Sequence, residues 1–205
     1  MKELILGMID VGCIQFSPKE PFTYASGLKG PIYCDNRLIP SHPKLRELVA
    51  QEFSRIIDSN KLDYDFVTGV ATAGITHATM LAHVRGEPMA YVRSKPKGHG
   101  QGRMVEGDVS QGQRLLLVED LINQGSSIGK VIEGVRAQGM VVDNALCIVD
   151  YQMEKARNYL ESLNVAHFSL INFRELVDMA LTEKIIDEEE FELLLKWHER
   201  PESWS

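Results

Sequence analysis

The chain has 205 residues, enough for one well-buried core, and carries 29 Asp and Glu against 22 Lys and Arg for a formal net charge of −7. That balance, with no Lys/Arg stripe, argues against nucleic acid as a general partner, because phosphate neutralisation dominates such binding. Three widely spaced cysteines, Cys13, Cys34 and Cys147, match neither a disulfide framework nor a zinc-site spacing. Lys2, Glu3 and Asp10 interrupt the N-terminal apolar pattern and no run reaches membrane-spanning length, so a reducing, cytoplasmic setting without membrane insertion is expected.

Residues 2–14 carry Leu4, Ile5, Met8, Ile9 and Val11 with acids between them and predict an amphipathic helix. From Phe16 the chain is punctuated by Pro18, Pro21, Gly27, Gly30 and Pro31, and Phe22-Thr23-Tyr24 and Ile32-Tyr33-Cys34 read as arms of a short hairpin. Ser41 and Pro43 open a helix with Leu45, Leu48, Val49, Phe53, Ile56 and Ile57 on one core-facing side. Asp65–Thr68 predicts a strand, Gly69–Gly74 a small-residue turn and His77–Val84 a helix. That order suits an anion at the helix N-terminus, and it equally suits close packing of helix on strand. Met89–Val92 predicts the next strand, feeding Arg93–Arg103, where glycines, a proline and clustered cations with His99 predict a mobile loop with affinity for polyphosphate.

Leu115–Val118 is an apolar run suited to a buried parallel strand, and Ile128, Val131, Ile132 and Val135 recur at helical spacing within 127–138. Between them lie Glu119-Asp120-Leu121-Ile122-Asn123-Gln124-Gly125-Ser126-Ser127. The N–H groups of a small-residue turn at a helix start can hold a phosphate, and acids one turn away can accept from vicinal hydroxyls. A sugar 5-phosphate meets both conditions. The plainer alternative makes Ser126 or Ser127 an N-cap and leaves the acids in solvent.

Val141–Val149, interrupted by Asp143-Asn144, predicts a strand and Val165–Leu170 another; helices over 171–184 and 187–198 close the chain, the second with acids from Asp187 to Glu190 at its start. Strands alternating with helices predict an α/β domain, a largely parallel sheet flanked by helices with ligand loops at the strands' carboxyl ends. With no Pro/Gly/Ser-rich linker, one domain over 1–205 is expected.

The stretch from Arg114 to Lys130 resembles the phosphoribosyl pyrophosphate (PRPP) signature of type I phosphoribosyltransferases: four apolar residues, two acids, two apolar residues, then small residues ending in Ser or Thr. Phe22-Thr23, Ser26-Gly27, Pro31-Ile32-Tyr33, Asp35-Asn36-Arg37, Gly69–Ile75, and Tyr91-Val92-Arg93 through Lys97, His99 and Gly100 resemble, in order, the orotate phosphoribosyltransferases of that superfamily. Glu106-Gly107 and a Trp-containing C-terminal helix are similar too, so the likeness spans nearly the whole chain.

The resemblance implies transfer of ribose 5-phosphate from PRPP to N1 of orotate, with Mg2+ carried by PRPP rather than by direct protein ligands. It also implies a homodimer whose loop reaches the neighbour's site, and a hood formed by roughly residues 1–40 and part of 171–205 over a core of about 42–170. Carried over by position, Arg93, Lys97 and His99 are catalytic and bind PRPP. Glu119 and Asp120 hold the ribose hydroxyls, Leu121, Ile122 and Asn123 continue the PRPP loop, and Gln124, Gly125, Ser126 and Ser127 cradle the 5-phosphate. Thr72 and Ala73 belong to the pyrophosphate turn, and Asn123 and Tyr151 fall on the orotate side. Lys29 and Arg37 are acceptor-side cations or plain surface charges.

The chain departs from the family pattern at several places. Asn123 stands where Thr or Ser is common, Gln124 where a second small residue is, and Ser126 where Gly is usual. Ala25 and Ala73 occupy places where some members carry lysine, and Tyr151 one where some carry arginine. Two other readings are another nucleobase phosphoribosyltransferase and a non-catalytic PRPP-binding regulator. The hairpin and the Lys97-Gly98-His99-Gly100 run speak against the first, and an intact Lys97 and His99 against the second.

Overall fold

The computed structural model describes residues 1–24, 27–93 and 103–204. Helix α1 (Lys2–Asp10) ends earlier than its apolar pattern predicts. Gly12 takes φ +79° and the Cys13 N–H closes back on the Met8 carbonyl at 2.8 Å, so the chain leaves the helix there. Four short strands follow: β1 (Ile14–Phe16), β2 (Phe22–Thr23), β3 (Lys29–Gly30) and β4 (Ile32–Cys34). The predicted hairpin needs correction, because β2 pairs with β3, Phe22 opposite Gly30, while Ile32–Cys34 turns to β1. Pro31, with no N–H for a ladder, separates the two pairings, and fully buried Ile32 fixes the second to the core.

A 3-10 turn (Asn36–Ser41) leads to α2 (Pro43–Asn60), which buries Leu45, Val49, Phe53 and Ile57 as its pattern predicts. Then come β5 (Phe66–Val70), α3 (Ala73–Arg85), β6 (Met89–Val92), β7 (Val105–Glu106), β8 (Leu115–Ile122), α4 (Ser126–Ala137), β9 (Asn144–Asp150), α5 (Glu154–Ser162), β10 (Ala166–Asn172), α6 (Phe173–Thr182) and α7 (Glu188–Glu199). The sequence pattern does not signal α5, since only Ala156 and Leu160 of its nine residues are buried. Capping boxes, Asn172 with Glu175 and Asp187 with Glu190, set the starts of α6 and α7. Lys2 pairs with Glu183, and Lys19 with Asp187 and Glu189, tying the N-terminal segment to the closing helices through exposed contacts that add little stability.

One sheet, ordered β10-β9-β8-β5-β6-β7, is parallel except for edge strand β7. Its strands β5, β8 and β9 are buried along most of their length, as a sheet covered on both faces requires. Helices α2 and α3 pack together, as do α4 and α5, and right-handed crossovers place the pairs on opposite faces. Among the described residues no helix is long and apolar enough to cross a membrane.

The chain enters this sheet at β5, moves out to β6 and β7, and returns on the other side of β5 as β8. The carboxyl ends of β5 and β8 therefore flank a topological switch point, where open α/β sheets leave a crevice. In register, Gly69 faces Val118; β5 stops one residue later at Val70, whereas β8 runs on to Ile122. Glu119 and Asp120 thus lie inside an overhanging strand, a correction to the predicted end at Val118.

Close packing accounts for the glycines of the first turn. A Cβ on Gly74 would sit 2.1 Å from the Val118 carbonyl oxygen, and one on Gly69 2.6 Å from the Ile75 Cα. Gly74→Ala should cost about 1–3 kcal/mol by forcing α3 off the strand. The measurement is the urea unfolding midpoint, and an unchanged midpoint would contradict the contact.

Candidate active site

Three segments lie at the carboxyl ends of β5 and β8, where the switch point leaves its crevice: the turn Ala71–Ala73 after β5, the overhang Glu119–Ile122 of β8, and the turn Asn123–Gly125 that opens α4. The Ala71–Thr72 peptide is cis, and Thr72 is exposed at the start of α3 with Ala73 beside it. Neither α3 nor α4 has a side-chain cap bond at its N-terminus. Gly125 takes φ +73° and packs so closely that an added Cβ would lie 2.8 Å from the Ala156 Cα. Ser126 and Ser127 follow it, both exposed. The N-cap alternative for these serines does not hold, and the first-turn N–H groups of α4 are left for a ligand or solvent.

The two acids differ. Glu119 is 7% exposed and its Oε1 accepts the Asp120 N–H at 3.0 Å, while Asp120 is half-buried at the lip. Burial, reinforced by contact with the Asp120 carboxylate, pushes the Glu119 carboxyl up to about 9. The folded protein then binds this proton more tightly than the unfolded chain between about 4.5 and 9. The group's stabilising contribution is complete below its unfolded value and is lost as pH rises through the folded one. The thermal midpoint of ligand-free protein should fall from pH 5.5 to 9 by about this path, and Glu119→Gln should flatten the fall. The same slope in that variant would contradict the assignment.

The other predicted residues separate into those at the crevice and those elsewhere. Leu121 and Ile122 belong to β8; Ile122 is 2% exposed and its carbonyl accepts the Tyr151 N–H at 2.9 Å, so the turn that opens α4 begins at Asn123. Asn123 is half-buried, and its Oδ1 has no partner among the described residues. Gln124 lines a cavity of about 390 Å³ with Met153, Lys155 and His198. Tyr151 is a correction to the expected acceptor side: its ring is 2% exposed and packs edge-on against Phe173 and Trp197 in the core. Arg93, at the end of β6, pairs with Glu106 at 3.5 Å. Arg37 is held by Asp35, its Nε and Nη2 donating at 2.6 and 2.8 Å, and Lys29 is exposed on β3. Ala25, Ser26, Lys97 and His99 lie outside the described residues.

Two buried polar residues at this site carry no sequence-based role. Asn36 is fully buried and its Nδ2 donates to the Asp120 carbonyl at 2.8 Å; His77 is 2% exposed on α3, the helix that packs on the 3-10 turn bearing Asn36. A single sequence offers only the faint signal of an Asn beside buried strand residues and a His within a small-residue helix.

The family model for the phosphoribosyl transferase domain matches residues 39–183. The orotate phosphoribosyltransferase of Listeria monocytogenes serotype 4b (strain F2365) is 38% identical over 203 residues, covering 99% of this chain and 97% of that one. The orotate phosphoribosyltransferase structure from Aeropyrum pernix is 30% identical over 85% of this chain and 96% of its own, with a TM-score of 0.75. Leishmania donovani UMP synthase shares the fold at a TM-score of 0.83 and 23% identity; the match takes in 97% of this chain and 42% of that longer one. With its acid pair at the switch point and this likeness along its whole length, the chain belongs to the orotate phosphoribosyltransferases of the phosphoribosyltransferase family.

Proposed function

We propose that the protein transfers ribose 5-phosphate from PRPP to N1 of orotate, giving orotidine 5-phosphate and pyrophosphate in pyrimidine biosynthesis. The observation that carries this is the crevice, which sets an acid pair beside two helix N-termini without side-chain caps in a chain similar to orotate phosphoribosyltransferases throughout. Asp120 and Glu119 accept the ribose hydroxyls. Glu119, protonated near neutrality by its burial, can also donate. The N–H groups from Gln124 to Ser127 hold the 5-phosphate, helped by the positive end of α4. The Ala71–Ala73 turn faces the pyrophosphate.

As the bond from C1 to pyrophosphate lengthens, positive charge grows on the ribose and negative charge on the leaving oxygens. Cations aimed at those oxygens stabilise the transition state more than the ground state, which is the task assigned to Arg93, Lys97 and His99. Asn123 meets the acceptor base, its unpartnered Oδ1 suited to a ring N–H. Magnesium would arrive with PRPP, and the half-buried Asp120 carboxylate could accept hydrogen bonds from its water without binding it directly. There it would neutralise phosphate charge while keeping much of its own water. The protein works in the cytoplasm as a homodimer, each subunit's Lys97 segment serving its neighbour.

An acceptor comparison tests this reading. With PRPP and magnesium, orotate should be consumed while uracil and adenine are not, followed by ultraviolet absorbance. Comparable turnover of uracil, or none of orotate where PRPP binds, would overturn it.

A further inference from the structure

Beyond Glu119, β8 has lost its neighbour, because β5 ends at Val70. The Asp120 carbonyl therefore has no β5 partner, and a side chain from another part of the chain takes that place. Asn36, 84 residues away and fully buried, donates its Nδ2 to this carbonyl at 2.8 Å. Its Oδ1 accepts from the Cys34 Sγ at 3.3 Å, which fixes the amide's orientation. His77, buried on α3 where that helix packs on this 3-10 turn, lies close enough to feel the Asn36 backbone and the Asp120 carboxylate, while its Nε2 has no partner among the described residues. Asn36 and His77 are thus both buried near the Asp120 strand, and the unpartnered His77 Nε2 makes that burial more costly than apolar filling would be.

We propose that Asn36 and His77 are positioning residues that replace the missing β5 edge and hold Asp120 in the orientation that grips the ribose, an inference that rests on the reading of Asp120 given above. Neither touches substrate; both act through the Asp120 backbone. The Asn36 bond also ties the 3-10 turn after β4, which packs on α3, to β8. Burial holds the His77 imidazole down to about 4 although the Asp120 carboxylate and the Asn36 carbonyl both favour its charged form. Near neutrality the ring is therefore uncharged and has one N–H.

The test is a double-mutant cycle on PRPP affinity in the presence of magnesium, measured by calorimetry on the full-length protein. Asn36→Leu removes the donor at similar size and adds no charge. It should weaken PRPP binding on the order of 10-fold alone and change it little when added to Asp120→Asn, because the group it positions is already impaired. His77→Phe should show the same dependence on Asp120, and His77→Gln, which keeps an N–H, should restore part of the loss. The histidine pair also carries the test should Asn36→Leu fail to fold. A role in folding alone would lower the thermal midpoint equally in both backgrounds and leave the affinity of the folded protein as it was. Full additivity, or unchanged affinity in Asn36→Leu and His77→Phe where Asp120→Asn weakens binding, overturns the positioning role and leaves the reading of the acids standing. Unchanged affinity in Asp120→Asn itself overturns both.

Discussion

Lys97→Ala should lower the turnover number on the order of 100-fold or more and raise the apparent KM for PRPP far less. In the proposed role its charge would be felt more as negative charge grows on the leaving pyrophosphate than in the ground state, so the loss would fall on the transition state. The structure frames the segment that bears Lys97 without describing Lys97 itself. The Arg93 N–H donates to the Met104 carbonyl at 2.9 Å, and Val92 pairs with Val105. Both ends therefore return to β6, the strand beside β5. If each segment serves the neighbouring subunit, mixing Lys97→Ala chains with Asp120→Asn chains should restore activity. A rise in KM that matches the fall in turnover would contradict the role of Lys97. Subunit exchange without recovered activity would contradict the shared site.

Asp120→Asn should weaken PRPP binding on the order of 10- to 100-fold while the protein stays folded, the range for losing a charge-assisted hydrogen bond. Glu119→Gln should cost less near neutrality, because a buried protonated carboxyl is already close to an amide in charge and shape. The asymmetry follows from burial, with Glu119 inside the sheet and Asp120 at its lip. Calorimetric titration with PRPP measures both. Equal affinity in Asp120→Asn and the parent would return the acids to a structural role.

The parts of this fold with strong local patterns were legible in the sequence. The buried face of α2, the strand Met89–Val92 and the apolar start of β8 each follow from periodicity or run length. What depended on distant partners was not. Ile32–Cys34 reads as a hairpin arm, yet its partner is β1, because a strand's alternation does not name the strand beside it. α5 buries too little to be seen. The acids and the Gly-Ser-Ser turn were legible as a candidate site because their chemistry is local, whereas the role proposed for Asn36 and His77 depends on the overhang of β8, which no local pattern signals. Tyr151 shows the converse: its place in the chain suggests a ligand contact, and its aromatic neighbours put it in the core.

The central claim, that the crevice between β5 and β8 couples PRPP to orotate, is tested most directly by phosphorus NMR of the protein with PRPP, magnesium and orotate. The account predicts that the PRPP signals give way to equal amounts of pyrophosphate and orotidine 5-phosphate, and that PRPP persists when orotate is left out. Persistent PRPP with orotate present, or pyrophosphate released without orotidine 5-phosphate, would contradict it.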